Sequence, residues 1–342
     1  MHNDGTKRLT LKDVARLAGV APSTVSFVLN GKAKQMRITD EQAERIMGIV
    51  EKSGYEPHRI AVNLRTGQSK TLGLMVESIS GSFFASLAKS IEEEAESLGY
   101  NVVYCSSENN TKKGGELINM LSRQMVDGYL ITPAPGMEKD ILKLVANRRP
   151  LVLMDSYFPD INVPYVLIDN YAGVVQGMEH FISKGYRKIA FITADMKVIQ
   201  LQERQRGYED TLRSHKIPVK KKLMLSLPFN GPRADAIREI TTFVKQNDID
   251  AVFCATNYVG ILTIEALSKL HLKMPDQVGL ICFDDHDVFR LYPPGITVIQ
   301  QPIEEIARTA IRLLMNQLDK SKVYIKKSKV QLPGKFIIRG SV

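Results

Sequence analysis

Asp284-Asp285-His286-Asp287 places three carboxylates and an imidazole in four consecutive positions, just after the apolar run from Val278 to Phe283 that reads as a β-strand. The space beyond the carboxyl end of a strand is where α/β sheets present side chains to a ligand. Such a cluster could be a metal or acid–base centre, or a set of acceptors for sugar hydroxyls and base N–H groups. A coordination shell needs further ligands, and no second cluster elsewhere in the sequence supplies them. The chain also lacks a phosphate-cradling G-x-x-x-x-G-K-[ST], a G-x-G-x-x-G after its first strand, a nucleophile elbow G-x-S-x-G and a zinc-binding H-E-x-x-H. Cys105, Cys254 and Cys282 stand far apart in apolar runs, without C-x-x-C spacing or neighbouring histidines, and read as buried reduced thiols. Recognition of a ligand is favoured over catalysis, and no cofactor or metal is expected.

A second recognition chemistry lies near the N-terminus. Leu11, Val14, Ala15 and Ala18 recur at i, i+3, i+4 and i+7, the stripe of a short helix with Thr10 as its N-cap and Gly19 as its stop. Pro22 suits the first position of a second helix, in which Val25, Val28 and Leu29 make a buried face before Asn30-Gly31 ends it. The opposite face shows Pro22, Ser23, Ser26 and Phe27. A third helix starts after Thr39, which can form a capping box with Gln42, and carries Ala43, Ile46, Met47 and Val50 up to Gly54. Two short helices joined by a glycine-containing turn, the second exposing small polar side chains, describe a helix-turn-helix whose second helix enters the major groove. A generic three-helix cap is the plainer alternative.

Charge favours the first reading. The chain of 342 residues has 46 Lys and Arg against 37 Asp and Glu, a net charge of +9. Residues 1–70 hold 12 of the basic and 7 of the acidic residues, which leaves 34 and 30 for the rest, so more than half the excess sits in a fifth of the length. A basic appendage on a balanced body suits a polyanion, nucleic acid before membrane. No apolar run approaches the roughly 18 residues of a membrane span, and MHNDGTKRLT lacks the apolar stretch of a secretory signal, so a cytoplasmic protein is expected.

From Thr71 onward β-branched runs alternate with helical stretches: Leu72 to Val76, Val102 to Cys105, Tyr129 to Thr132, Leu151 to Met154, Val166 to Ile168, Ile189 to Thr193, Ala251 to Cys254 and Val278 to Cys282. This rhythm predicts βαβ units and parallel sheets. Leu98-Gly99-Tyr100-Asn101 and Lys184-Gly185-Tyr186-Arg187 both lead through glycine into a strand, a weak repeat compatible with two similar lobes around a cleft. Ile303, Ile306, Ala307, Ala310, Ile311 and Leu314 line one face of a long helix expected to pack on a sheet.

The segments LTLKDVARLAGVAPSTVSFVLNG (9–31) and SGYEPHRIAVNLRTGQSKTLGLMV (53–76) resemble the lactose-repressor (LacI/GalR-type) family of bacterial transcription regulators. The resemblance continues through VDGYLITP, LIDNYAG, GYRKIAFIT, RGYED, CFDDHD and TVIQQP to cover essentially the whole chain. It implies an α/β protein with an N-terminal helix-turn-helix head and a two-lobed periplasmic-binding-protein-like body of two Rossmann-like parallel-sheet lobes. The expected divisions are a head at 1–56, a hinge helix and linker at 57–70, and a body at 71–342. Lobe one takes about 71–170 and 301–326, and lobe two takes 171–300 and 327–342, with the last crossings near Thr297 to Gln301 and Lys322 to Lys329.

By the same resemblance Pro22, Ser23 and Phe27 touch base edges, Thr24 and Ser26 touch phosphates, and Thr10 and Asn30 belong to the same DNA-binding set. Phe27 departs from the family's common arginine, which suits guanine, and offers only apolar contact. Ala21 stands where Ser is common and leaves the second helix without a side-chain cap. In the hinge, Leu64 takes the position of the minor-groove wedge, Ala61 allows close helix approach, and His58 and Arg65 flank them; His58 and Val62 replace the commoner Asn and Arg.

The effector positions implied are Phe83, Phe84, Asp169, Gln202, Arg204, Asn257 and Asp284. Gln202 departs from a family arginine, and Tyr258 stands where Asp is usual. With Arg204 as the main cation, a neutral or singly anionic sugar-like molecule is expected over a bisphosphate. The implied protein is a homodimeric repressor of carbohydrate catabolism on a palindromic double-stranded operator, without a membrane partner and not an enzyme. A global regulator answering to a protein partner and a cytoplasmic ligand-binding module are the alternatives.

Overall fold

Residues 9–55, 68–319 and 328–342 are described by the computed structural model, and the chain divides into two units, Met1–Ser69 and Lys70–Val342. His58, Ala61, Leu64 and Arg65, the expected hinge contacts, lie outside the described residues.

In the first unit three helices, α1 (Leu11–Ala18), α2 (Pro22–Leu29) and α3 (Asp40–Ser53), share one small core of Val14, Ala15, Ala18, Val25, Val28 and Ile46. Thr10 and Asp13 close a reciprocal capping box at the start of α1, which satisfies two of its orphan N–H donors. Gly19 ends α1 at φ 62°, a conformation that costs a residue with a Cβ, and so permits the tight turn into α2. Ala21 caps α2 with no side-chain bond and Pro22 opens it. Thr39 caps α3 by accepting from the Gln42 amide at 3.3 Å.

The second unit holds two six-stranded sheets. The first contains β1 (Thr71–Val76), β2 (Asn101–Ser106), β3 (Gly128–Ile131), β4 (Leu151–Met154), β5 (Tyr165–Ile168) and β11 (Lys329–Leu332). The second contains β6 (Ile189–Asp195), β7 (Met224–Pro228), β8 (Ala251–Cys254), β9 (Gly279–Phe283), β10 (Thr297–Gln300) and β12 (Lys335–Ile337). Their orders are β11-β5-β4-β3-β1-β2 and β12-β10-β9-β8-β6-β7, the same winding twice. All pairings are parallel except β10 with β12. Cys254 and Cys282, distant in sequence, are register partners on β8 and β9, and both are buried free thiols, while Cys105 is half-buried.

Among the helices flanking these sheets are α4 (Ser82–Ser97), α5 (Thr111–Arg123), α6 (Glu138–Ala146), α7 (Asn170–Ser183), α8 (Ile199–Ser214), α9 (Arg233–Gln246), α10 (Asn257–Lys269), α11 (Asp287–Leu291) and α12 (Ile303–Leu318). Ile306, Ala307, Ala310, Ile311 and Leu314 of α12 are buried in the first lobe's core, as their spacing predicts. The chain passes between lobes from β5 to α7, from β10 to α12, and at Pro333-Gly334 between β11 and β12. The last crossing corrects the expected boundary at 326/327. Val330 pairs with Val166 and Leu332 with Ile168, so the first lobe reaches Leu332.

Candidate functional site

Between the two lobes, at the carboxyl ends of both sets of strands, lies a cavity of about 430 Å³. The first lobe contributes Glu77 after β1, Phe83 and Phe84 at the start of α4, Glu108, and Asp155 after β4. The second contributes Gln200 and Arg204 from α8, Thr256, Asn257 and Tyr258 at the start of α10, and Asp284 after β9. The rings of Phe83 and Phe84 meet edge to face, with centroids 5.0 Å apart.

Five of the seven expected effector residues line this cavity: Phe83, Phe84, Arg204, Asn257 and Asp284. Gln202 does not. It is exposed on α8, and the residue facing the cavity one turn before Arg204 is Gln200. Residues four apart share a helix face, whereas residues two apart point to opposite sides. Asp169 is also absent from the lining; its carboxylate accepts from the Ala172 amide at 2.9 Å and caps α7.

Arg204 is buried, with its guanidinium carbon 3.6 Å from the centre of the Phe283 ring. Its Nε donates to Asn170 Oδ1 at 2.8 Å and its Nη1 to the Ala255 carbonyl at 2.7 Å, with Asp284 Oδ2 3.6 Å away. Gly207, one turn further on, makes this placement possible: a Cβ there would come within 2.9 Å of the Tyr171 carbonyl, so only glycine lets α8 lie this close to α7. Arg204 is therefore engaged with the protein on several sides, and little of it remains for an anionic ligand. That weighs against the singly anionic half of the sequence expectation.

Among the described residues, side-chain hydrogen bonds bridge the lobes directly in three places. Gln200 Nε2 donates to Asp155 Oδ2 at 3.0 Å, Asn257 Nδ2 to Ser82 Oγ at 3.2 Å, and Asn109 Nδ2 to Met196 Sδ at 3.2 Å. Burial lifts the Asp155 carboxyl to about 6 against the pull of Arg204, and lifts Glu77 to about 7, with Asp155, Glu108 and Asp284 pushing the same way. Burial also raises Asp284, while Arg204 and Gln301, which donates to its Oδ1 at 2.7 Å, pull it down. Glu77 and Asp155 were not anticipated. The signal was present, because each directly follows a strand read from sequence, the position that singled out Asp284.

The four-residue acidic run comes apart in space. Asp284 faces the cavity, Asp285 is held by Arg339 at 2.6 and 2.9 Å, His286 accepts the Val288 amide to cap α11, and Asp287 pairs with Arg290. Among the described residues no three His, Cys, Asp or Glu side chains converge to hold a metal ion.

In the first unit, Pro22, Ser23 and Asn30 of the helix-turn-helix are exposed, and Thr24, Ser26 and Phe27 are half-buried. Phe27 is not among the residues packed on the head's core. Asn30 turns its amide nitrogen back onto Ser26, donating to the carbonyl and, at 3.3 Å, to Oγ, so it closes the end of α2. Thr10 is exposed and committed to Asp13 through the capping box. The loop after α2 adds the exposed cations Lys32, Lys34 and Arg37.

A helix-turn-helix unit joined to two like-wound lobes around a polar cleft defines a ligand-responsive DNA-binding regulator rather than an enzyme. Residues 10–58 match the family model described as bacterial regulatory proteins, lacI family, and residues 178–342 match that of a periplasmic binding protein-like domain. The chain belongs to the lacI family of bacterial regulatory proteins. It is 29% identical to the HTH-type transcriptional regulator KdgR of Bacillus subtilis over the full length of both chains. It is 28% identical to the ribose operon repressor of Haemophilus influenzae, over 90% of this chain and 92% of that one. The lac repressor dimer bound to operator and the anti-inducer ONPF superposes with a TM-score of 0.84 at 19% identity, over 98% of this chain and 99% of that one, and so shares the fold.

Proposed function

We propose that this chain is a sequence-specific transcriptional repressor of carbohydrate-catabolism genes, acting in the cytoplasm as a homodimer on a palindromic operator and controlled by a hydroxyl-rich effector in the inter-lobe cleft. The observation that carries the reading is the joining, in one chain, of a helix-turn-helix presenting Pro22, Ser23 and Phe27 to a cleft whose lobes are bridged by side chains that also line it. Pro22, Ser23 and Phe27 read bases, and Thr24 and Ser26 hold phosphates. Residues 57–70 link head to body, with Leu64 as the minor-groove wedge. The similarity to a ribose operon repressor supports a sugar-related effector. No helix among the described residues is long and apolar enough to cross a membrane.

The cleft suggests how a ligand controls affinity. Gln200 to Asp155 and Asn257 to Ser82 are single hydrogen bonds between lobes, each worth on the order of 1 kcal/mol net. A ligand that replaces them with its own bonds to both lobes changes the preferred inter-lobe angle. A coupling of about 1 to 3 kcal/mol would change operator affinity roughly 5- to 150-fold. The test is selection of duplexes by the full-length chain from a random library at near-physiological salt, with and without a sugar panel. A recovered palindrome whose occupancy responds to one class of sugar is expected. No palindrome under any condition would overturn the reading.

A further inference from the structure

The cleft is short of positive charge. Glu77, Glu108, Asp155 and Asp284 line it against the guanidiniums of Arg204 and Arg233. Arg233 is held by Glu265 at 2.6 Å, and Arg204 is shared among Asn170, Ala255 and Asp284. The charges acting on Glu77 are all carboxylates, those of Asp155, Glu108 and Asp284. Tyr258 faces Glu77 from α10, and burial keeps its hydroxyl neutral; a phenol has no cationic form and supplies no positive charge.

The cleft also holds buried polar atoms without a partner: the Thr256 and Tyr258 hydroxyls, which can donate or accept, and the Gln200 amide oxygen, which only accepts. Gln200 is only 7% exposed, and while its amide nitrogen donates to Asp155, its Oε1 has no donor at all. Leaving a buried acceptor unmatched is destabilising, and ionised carboxylates packed together need a proton or a cation between them. A ligand that fits must bring several donors and one positive charge. A divalent metal would bring the charge, but the described carboxylates do not converge at metal-binding geometry. A sugar acid or phosphate would add negative charge to a site already in excess.

We propose that the effector of this cleft is a hydroxyl-rich amine, an amino sugar or an amine-bearing polyol, whose ammonium group faces Glu77 and Asp155 and whose hydroxyls bond Gln200 and Asp284. The proposal rests on reading the cleft as the effector site. It assigns Glu77 and Asp155 as the residues that select charge, and Gln200 and Asp284 as acceptors that position the hydroxyls. Because Glu77, lifted to about 7, is partly protonated near neutral pH, binding of the amine releases protons to solvent.

The experiment is calorimetry on the full-length protein at pH 6.5 with matched sets: glucosamine, galactosamine, mannosamine and 1-amino-1-deoxysorbitol, their neutral parents, and the corresponding uronic acids. At least one amine should bind about tenfold or more tighter than its neutral parent, with a heat that varies with the ionisation enthalpy of the buffer. Glu77→Gln should bring the ratio of amine to neutral-parent affinity down to about threefold or less. The proposal is overturned if a neutral sugar or an acid binds as well as its amine, or if no amine binds. Operator binding followed in the same samples separates the two readings. An amine that binds without changing operator affinity keeps the ligand class and removes the regulatory role; release driven only by a neutral or acidic sugar does the reverse.

Discussion

Asp155 and Asp284 are counterparts. Each is the first residue after the fourth strand of its lobe, each has a left-handed backbone, at φ 62° and φ 68°, and each donates its amide to the next strand, to Val166 and Ile299. That backbone is uncommon for a side chain with a Cβ and costs on the order of 1 kcal/mol or more. The second lobe repeats it with the same residue type, and Arg204 acts on both carboxylates. Strain held twice at equivalent places makes the two aspartates a matched pair lining the cleft, one on each lobe.

Removing Arg204 would leave buried charge behind. Arg204→Met deprives Asn170, Ala255 and Asp284 of their donor and should destabilise the body by about 3 kcal/mol, the cost of breaking a buried pair from one side. Adding Asp284→Asn to the same chain should recover part of that loss. Urea denaturation of the two single variants and the double variant measures the coupling, and strict additivity would show that Arg204 and Asp284 do not act on one another.

The raised carboxyls give stability a pH dependence of definite sign. Between about pH 4 and pH 7 the folded chain keeps protons on Glu77 and Asp155 that the unfolded chain has released, so these groups make the ligand-free protein less stable as pH rises through that window. Glu77→Gln removes one contribution. It should be more stable than the parent at pH 8 by up to ~3 kcal/mol, with the difference fading toward pH 4. Denaturant midpoints at pH 4.5 and 8 check this, and an equal shift at both would trace the gain to something other than ionisation.

Phe27 can reach a base only through its ring, so the operator should lack a guanine preference at the facing base pair. Phe27→Arg should create one, worth at least about 1 kcal/mol, by supplying two parallel N–H donors. A complete base-substitution series on the selected operator reads both chains. A guanine preference already present in the parent would sink the assignment of Phe27 to that contact.

The missing cap on α2 is a simple stability test. Ala21 has φ −67° and ψ 147°, the backbone of an N-cap, with no side chain to accept from the next turn. Ala21→Ser should stabilise α2 by about 1 kcal/mol. Hydrogen exchange at the Ser23 and Thr24 amides should slow roughly fivefold, the factor that energy implies.

Much of this architecture is legible before any coordinates. Leu151–Met154 and Ala251–Cys254 coincide with their strands to the residue, because short apolar runs bounded by Pro150 and Asp250 leave little choice of register. The strands β7, β11 and β12 were not read, because they edge their sheets and alternate only weakly in burial, and β10, a buried inner strand, was read only as a crossing between lobes. Within the cleft, Phe83, Phe84, Arg204, Asn257 and Asp284 followed from motif positions. Gln202 and Asp169 lie outside the cleft lining for physical reasons that the sequence already contained. Helical periodicity puts Gln200, not Gln202, beside Arg204, and an Asp three residues before Ala172 is where a helix takes its cap.

The short passage at Pro333-Gly334 has a consequence for how the protein is made. The strand that completes the first sheet lies at residues 329–332, while its partner β5 ends at Ile168. A nascent chain therefore carries an unpaired strand edge at Tyr165–Ile168 through more than 160 residues of further synthesis. Contacts of such long sequence separation form slowly and leave the growing chain open to aggregation. Emergence of residues 329–332, rather than completion of the other five strands, is the event that lets the first sheet close.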